Sequence, residues 1–66
     1  MRIRYFADTD TLYIEFRTAG EIVGSRDLDE NTLAEYDAQG RLCAMTLEHA
    51  HERAEIPHFS FEQVAA

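Results

Sequence analysis

The residues best able to do chemistry in this chain are three histidines near its end. His49, His51 and His58 stand among Glu48, Glu52 and Glu55. Imidazole and carboxylate together suit a metal, and zinc ligands on a helix fall at i and i+3 or i+4, where they share a face. His49 and His51 are two positions apart. On a helix they point about 200° apart. On an extended segment they share a face and could chelate. His51 and Glu55 have helical spacing but offer only a pair of ligands. The simpler reading is a solvated segment rich in His and Glu. No cofactor is assigned, and His49, His51 and His58 remain the candidates should a metal be held.

Carboxylates at alternate positions are the second resource: Asp8 with Asp10, Asp27 with Asp29, and Glu35 with Asp37. General acid–base work needs a shaped pocket that separates two pKa values, and so short a chain has little volume for one. Asp8, Asp10 and Asp29 are most simply turn formers, and Glu35 and Asp37 have Arg41 as an ion-pair partner. No Ser/His/Asp or Cys/His motif is present, and the glycines are too isolated for a phosphate loop. The expectation is therefore a protein without catalytic residues, with a metal-binding or metal-dependent enzyme on the C-terminal histidines as the alternative.

Charge narrows the partners. Thirteen acidic residues against six basic ones leave a formal net charge of −7. Nucleic-acid affinity comes largely from cations meeting phosphates, so direct nucleic-acid binding is disfavoured. An acidic surface suits a basic protein partner. No segment approaches the ~20 apolar residues of a membrane span, and the N-terminus lacks a signal-type apolar run. Cys43 is the only cysteine, which excludes a disulfide within the chain and suits a reducing compartment. The expected location is cytoplasmic. A chain near 60 residues buries only about 60% of its unfolded surface. The 66 residues, read as a single domain over 1–66, are thus expected to gain from a partner.

The elements that position these residues are mostly strands. Thr32 to Leu47 reads as one hairpin. Asp37-Ala38-Gln39-Gly40 suits a type I turn, with Asp first and Gly at the left-handed position. That turn pairs Tyr36 with Leu42, Glu35 with Cys43, Ala34 with Ala44 and Leu33 with Met45. One face then holds Tyr36 and Leu42, the other Leu33, Met45 and Leu47, and neither is polar throughout. A water-facing side should alternate more cleanly, so Leu33, Tyr36, Leu42, Met45 and Leu47 are the candidate partner-binding residues.

Residues 2–17 read as another hairpin, with Ala7-Asp8-Thr9-Asp10 as its loop. Counting outward pairs Phe6 with Thr11, Tyr5 with Leu12, Arg4 with Tyr13, Ile3 with Ile14 and Arg2 with Glu15. Ile3, Tyr5, Leu12, Ile14 and Phe16 then share one apolar face. The other face offers an Arg2–Glu15 ion pair and a cation–π contact of Arg4 with Tyr13. A one-residue slip would destroy this sorting. Thr18-Ala19-Gly20 is a turn. A weaker strand covers 21–28, with a bulge or close backbone approach at Gly24, and Asp29-Glu30-Asn31 turns into the next strand.

After Thr46 the pattern changes. Residues 46–54 are good helix formers, with Leu47, Ala50, His51 and Ala54 on one face, and the helix should stop before Pro57. His58 to Val64 reads as an extended tail or a further helical turn, packing Phe59 and Phe61.

The stretch Tyr5-Phe6-Ala7-Asp8-Thr9-Asp10-Thr11-Leu12-Tyr13-Ile14 resembles the opening "Y-D-x-x-x-D-x-L-Y-I" of short bacterial and archaeal proteins grouped as domain of unknown function 2283. Glu35-Tyr36-Asp37-Ala38-Gln39-Gly40-Arg41-Leu42 resembles that family's later "D-x-x-G-x-L" between strands. Phe6 departs from the usual Asp, and Ala44 from the usual Gly. The resemblance covers most of residues 1–50. It implies an α+β fold with an antiparallel meander followed by a helix, implies no catalytic residues, and brings an antitoxin-like role beside small toxin-like proteins for some members.

These readings converge on an α+β fold. Four to five antiparallel strands form a β-meander, with hairpins over 2–17 and 32–47 joined by a strand near 21–28 and followed by a short C-terminal helix. The expected function is a small acidic protein-binding module that forms a homodimer or pairs with a small basic toxin-like protein.

Overall fold

A computed structural model of the chain describes residues 1–17 and 21–65. It has five strands and one short helix: β1 Arg2–Phe6, β2 Thr11–Glu15, β3 Gly24–Asp29, β4 Thr32–Tyr36, β5 Leu42–Glu48 and α1 Ala50–Arg53. All pairings are antiparallel, in one sheet of order β1-β2-β5-β4-β3. This is the α+β arrangement expected, with one refinement. The β1–β2 hairpin and the β3-β4-β5 meander join through β2 and β5, so the last strand lies inside the sheet. The order follows from composition. β5, Leu-Cys-Ala-Met-Thr-Leu-Glu, has apolar residues at both parities and takes the centre. The flanking β1 and β3 carry Arg2, Arg4, Arg26, Asp27 and Asp29, the kind of charge that blunts an open edge.

The first hairpin has the expected register, residue for residue, from Arg2 opposite Glu15 to Phe6 opposite Thr11. Two of its expected contacts differ. Arg4 lies over the ring of Phe6, two residues along the same strand face, 5.1 Å from its centroid, rather than over Tyr13. Arg2 and Glu15 face one another in register, but neither is in one of the ion pairs found among the described residues.

The second hairpin has the expected turn but a different register beyond it. Gly40 N–H donates to the Asp37 carbonyl at 3.0 Å, and Gly40 sits at φ 78°. Tyr36 faces Leu42 as read. The ladder then slips, so that Glu35 faces Ala44, Ala34 faces Met45, Leu33 faces Thr46 and Thr32 faces Leu47. Cys43 is the extra residue of this β-bulge. The pairings expected for Glu35, Ala34 and Leu33 are therefore corrected by one position. Because side chains alternate, that step moves Leu33 to the opposite face from Met45 and Leu47.

β3 starts at Gly24, so the glycine opens the strand. The irregularity falls between Asp27 and Asp29, not at Gly24, where a Cβ would meet nothing within 4 Å beyond its own chain neighbours. The turn read at Thr18-Ala19-Gly20 lies outside the described residues. The helix expected over 46–54 is shortened to Ala50–Arg53. Thr46, Leu47 and Glu48 remain in the sheet because they face Tyr13, Leu12 and Thr11 across β5 and β2, and the ladder outweighs helix propensity there. Residues 57–65 form no regular element.

Register sorts the faces. Ile3, Tyr5, Leu12, Ile14, Met45, Leu47, Ala34 and Thr32 share one face. The reverse face holds Arg2, Arg4, Tyr13, Glu15, Ala44, Thr46, Leu33 and Glu35. The core is thin: Leu12, Ala34, Cys43, Ala44 and Ala50 are its buried apolar residues, and no large side chain among those described falls below 2% exposure.

Candidate functional site

At one end of the sheet the β1–β2 turn meets the helix, through a single residue. Asp10 has a left-handed backbone, φ 54°, at the turn's last position. That conformation suits Asp better than most residues, and it directs the carboxylate out of the hairpin. Asp10 Oδ1 accepts the Tyr5 hydroxyl at 2.6 Å and the His51 backbone N–H at 3.0 Å. Its Oδ2 makes a short contact with His51 Nδ1. Its main-chain carbonyl accepts the Ala50 N–H at 3.0 Å.

The first turn of α1 is thus satisfied by a residue 41 positions earlier in the chain. Arg53 closes the other side. It donates to the Asn31 carbonyl at 2.8 Å, the Glu48 carbonyl at 3.3 Å and Thr32 Oγ1 at 2.6 Å. A four-residue helix has too little propensity to stand alone, so these contacts are what hold it.

The electrostatics agree with that geometry. The Tyr5 hydroxyl, followed by the His51 side chain and backbone, holds the Asp10 carboxyl below its usual range. The same carboxylate raises His51, by hydrogen bond and then by charge, and raises Tyr5. With Nδ1 turned to Asp10, the outward nitrogen of His51 is Nε2, and its side chain is 66% exposed. No hydroxyl or thiol among the described residues hydrogen-bonds His51. The arrangement is an oriented imidazole without a nucleophile, a clasp between the first hairpin and the helix.

The second feature adjoins the first through Tyr5. A groove of about 790 Å³ runs along the apolar face, lined by Met1, Ile3, Tyr5, Leu12 and Ile14 from the sheet and by residues 54–59 and Phe61 from the segment after α1. Its floor has no charged side chain. Volume and lining are those of sites that bury apolar groups.

The residues expected from the sequence are partly brought together. His51 binds Asp10, His58 lines the groove, and His49 is an exposed left-handed residue opening the helix. Among the described residues no three of His, Cys, Asp and Glu gather as a metal-holding group, so His49, His51 and His58 do not converge. Of the partner-face candidates, Met45 and Leu47 share the groove's face, Tyr36 faces Leu42 near the turn, and Leu33 lies on the reverse side. Asp37 pairs with Arg41 as expected, Nε to Oδ2 at 2.8 Å. The carboxylate also accepts the Gln39 and Arg41 N–H groups. Those bonds, the Arg41 N–H first, hold Asp37 below its usual range. Asp10 was expected only as a turn former; nothing local announces a partner so far along the chain.

No helix among the described residues is long and apolar enough to cross a membrane. No curated protein sequence and no solved structure matches the chain. One family model does, and it takes in both hairpins, β3 and the clasp residues Tyr5, Asp10 and His51. Residues 2–51 match the family described as "Protein of unknown function (DUF2283)", and the chain belongs to that family.

Proposed function

We propose that this protein is a small cytoplasmic protein-binding module that dimerises and works through contact with other proteins rather than through catalysis. One observation supports the reading above the others: an apolar groove lies open on one sheet face while the core beneath it contains, among the described residues, no fully buried large side chain. Marginal folds of this size gain most from an added surface, and large apolar areas left open on a small protein mark interaction sites. The formal charge of −7 adds a second partner class, a small basic protein of the toxin-like kind, met through acidic side chains such as Glu15 and Glu35 on the reverse face. In that arrangement the groove serves self-association and carboxylates outside it serve the basic partner.

Light scattering across micromolar concentrations, together with co-purification of proteins encoded beside this one, tests the reading. A concentration-dependent dimer, or a stoichiometric basic partner displaced by salt, is expected. A strict monomer that retains no neighbour-encoded protein refutes it.

A further inference from the structure

The sheet ends at β1, and the ladder fixes which main-chain groups lie along that edge. In an antiparallel sheet, successive residues turn their N–H and C=O alternately to one side of the strand and the other. The Phe16 N–H donates to the Cys43 carbonyl at 2.7 Å, in step with the β2–β5 register. Leu12 and Ile14, in phase with Phe16, therefore bond β5, while Thr11, Tyr13 and Glu15 bond β1. Their partners Phe6, Arg4 and Arg2 spend their main chain on β2. Ile3 and Tyr5 turn theirs outward. No turn, loop or side-chain hydrogen bond among the described residues reaches those groups, and β1 is exposed at every position.

The side chains on this edge select the partner. Arg2 and Arg4 stand at alternate positions on the face away from the groove. Arg4 lies over the Phe6 ring, and a stacked guanidinium keeps its in-plane N–H donors free. Neither Arg2 nor Arg4 is in an ion pair or a side-chain hydrogen bond among the described residues. We infer that β1 takes an added strand, an extended segment of another protein with carboxylates opposite Arg2 and Arg4 and apolar residues between them. Main-chain bonds to Ile3 and Tyr5 hold the segment, and the guanidinium–carboxylate pairs specify it. A second β1 is disfavoured, because pairing Ile3 with Tyr5 across an antiparallel edge sets Arg4 against Arg4. The formal net charge of −7 opposes an acidic segment mainly at long range. Asp27 and Asp29, on the opposite edge strand, are four strand spacings away, about 19 Å, beyond the ~8 Å Debye length of physiological salt. The inference is independent of the dimer reading.

The test titrates the full chain with a labelled, capped peptide of alternating Glu and Val, followed by fluorescence anisotropy and by hydrogen exchange at the Ile3 and Tyr5 amides. Submillimolar binding is expected, with both amides slowed. Arg2→Ser together with Arg4→Ser should weaken binding at least tenfold while the far-ultraviolet circular dichroism is kept, since both side chains are exposed. Arg26→Ser, on the far edge strand, should leave it unchanged. N-methylation of the Val amides, which face β1 in this register, should abolish binding, and N-methylation of the Glu amides should not. No binding, binding that the double Arg variant retains, or binding that both methylations affect alike overturns the inference. So does protection of Ile3 and Tyr5 that grows with protein concentration in the absence of peptide, which makes the occupant a second copy.

Discussion

Leu12 is the residue on which the thin core most depends. It is 9% exposed, faces Tyr5 on one neighbouring strand and Leu47 on the other, and forms part of the groove floor. Leu12→Ala removes three carbons. At about 0.8 kcal/mol per buried CH₂, the transfer loss is about 2.4 kcal/mol. The usual cavity cost is largely missing here, because the groove beside Leu12 opens to solvent and water can enter the space. The expected destabilisation is therefore about 2–3 kcal/mol, the low end of the range for buried Leu→Ala. A chain of 66 residues has in all about 3–10 kcal/mol to lose. The midpoint of thermal unfolding should fall by roughly 10–20 °C. Urea unfolding monitored by circular dichroism, at one fixed protein concentration so that association does not confound the comparison, gives the free energy directly. Leu28→Ala is the control: Leu28 is 52% exposed on an edge strand, and its loss should cost less than about 0.5 kcal/mol. If Leu12→Ala costs under about 1 kcal/mol, or Leu28→Ala costs as much, then the core is not where this structure places it.

Three further expectations follow from the turn and the clasp. Gly40 has φ 78° with open space around it. Gly40→Ala should thus cost about 1 kcal/mol from backbone strain alone, and a neutral result in urea unfolding would mean the turn is not of this type. Asp37 accepts two backbone N–H groups besides the Arg41 side chain, so Asp37→Ala should destabilise clearly more than Arg41→Ala; equal losses would make the ion pair, not the backbone capping, the working contact. The clasp should depend on pH with a definite sign. His51 is raised above 6.5, so its contribution is full below that value and fades as pH rises through the folded pKa; Asp10 is lowered below 3.8, so its contribution holds above that value and fades as pH falls through the folded pKa. The stability gap between wild type and His51→Gln should therefore be widest below 6.5, with Asp10 still ionised, and narrow as pH rises above 6.5. A gap that stays constant across that span shows that the His51–Asp10 contact does not titrate.

What the sequence determined by itself was local and strongly over-specified. The register of the first hairpin follows from Ile3, Tyr5, Leu12 and Ile14 having to share a face, because any slip by one residue would send half of them to the wrong side. The Asp37–Gly40 turn follows from residue chemistry within four positions. The family was legible for the same reason, since its motifs lie in these two turns and their flanking strands. Only the tertiary structure decided the remainder. The bulge at Cys43 arises where β5 must satisfy β4 on one side and β2 on the other, and a hairpin read in isolation has only one partner to satisfy. The central position of β5 and the shortening of the helix to Ala50–Arg53 have the same origin: pairing across the sheet outweighs local propensity. The clasp joins Asp10 to His51 over 41 positions, and the groove exists only once the segment after the helix folds back over Ile3 and Tyr5. Such contacts close long loops, and nothing in the spacing of one short chain encodes which closure wins until the whole sheet is assembled.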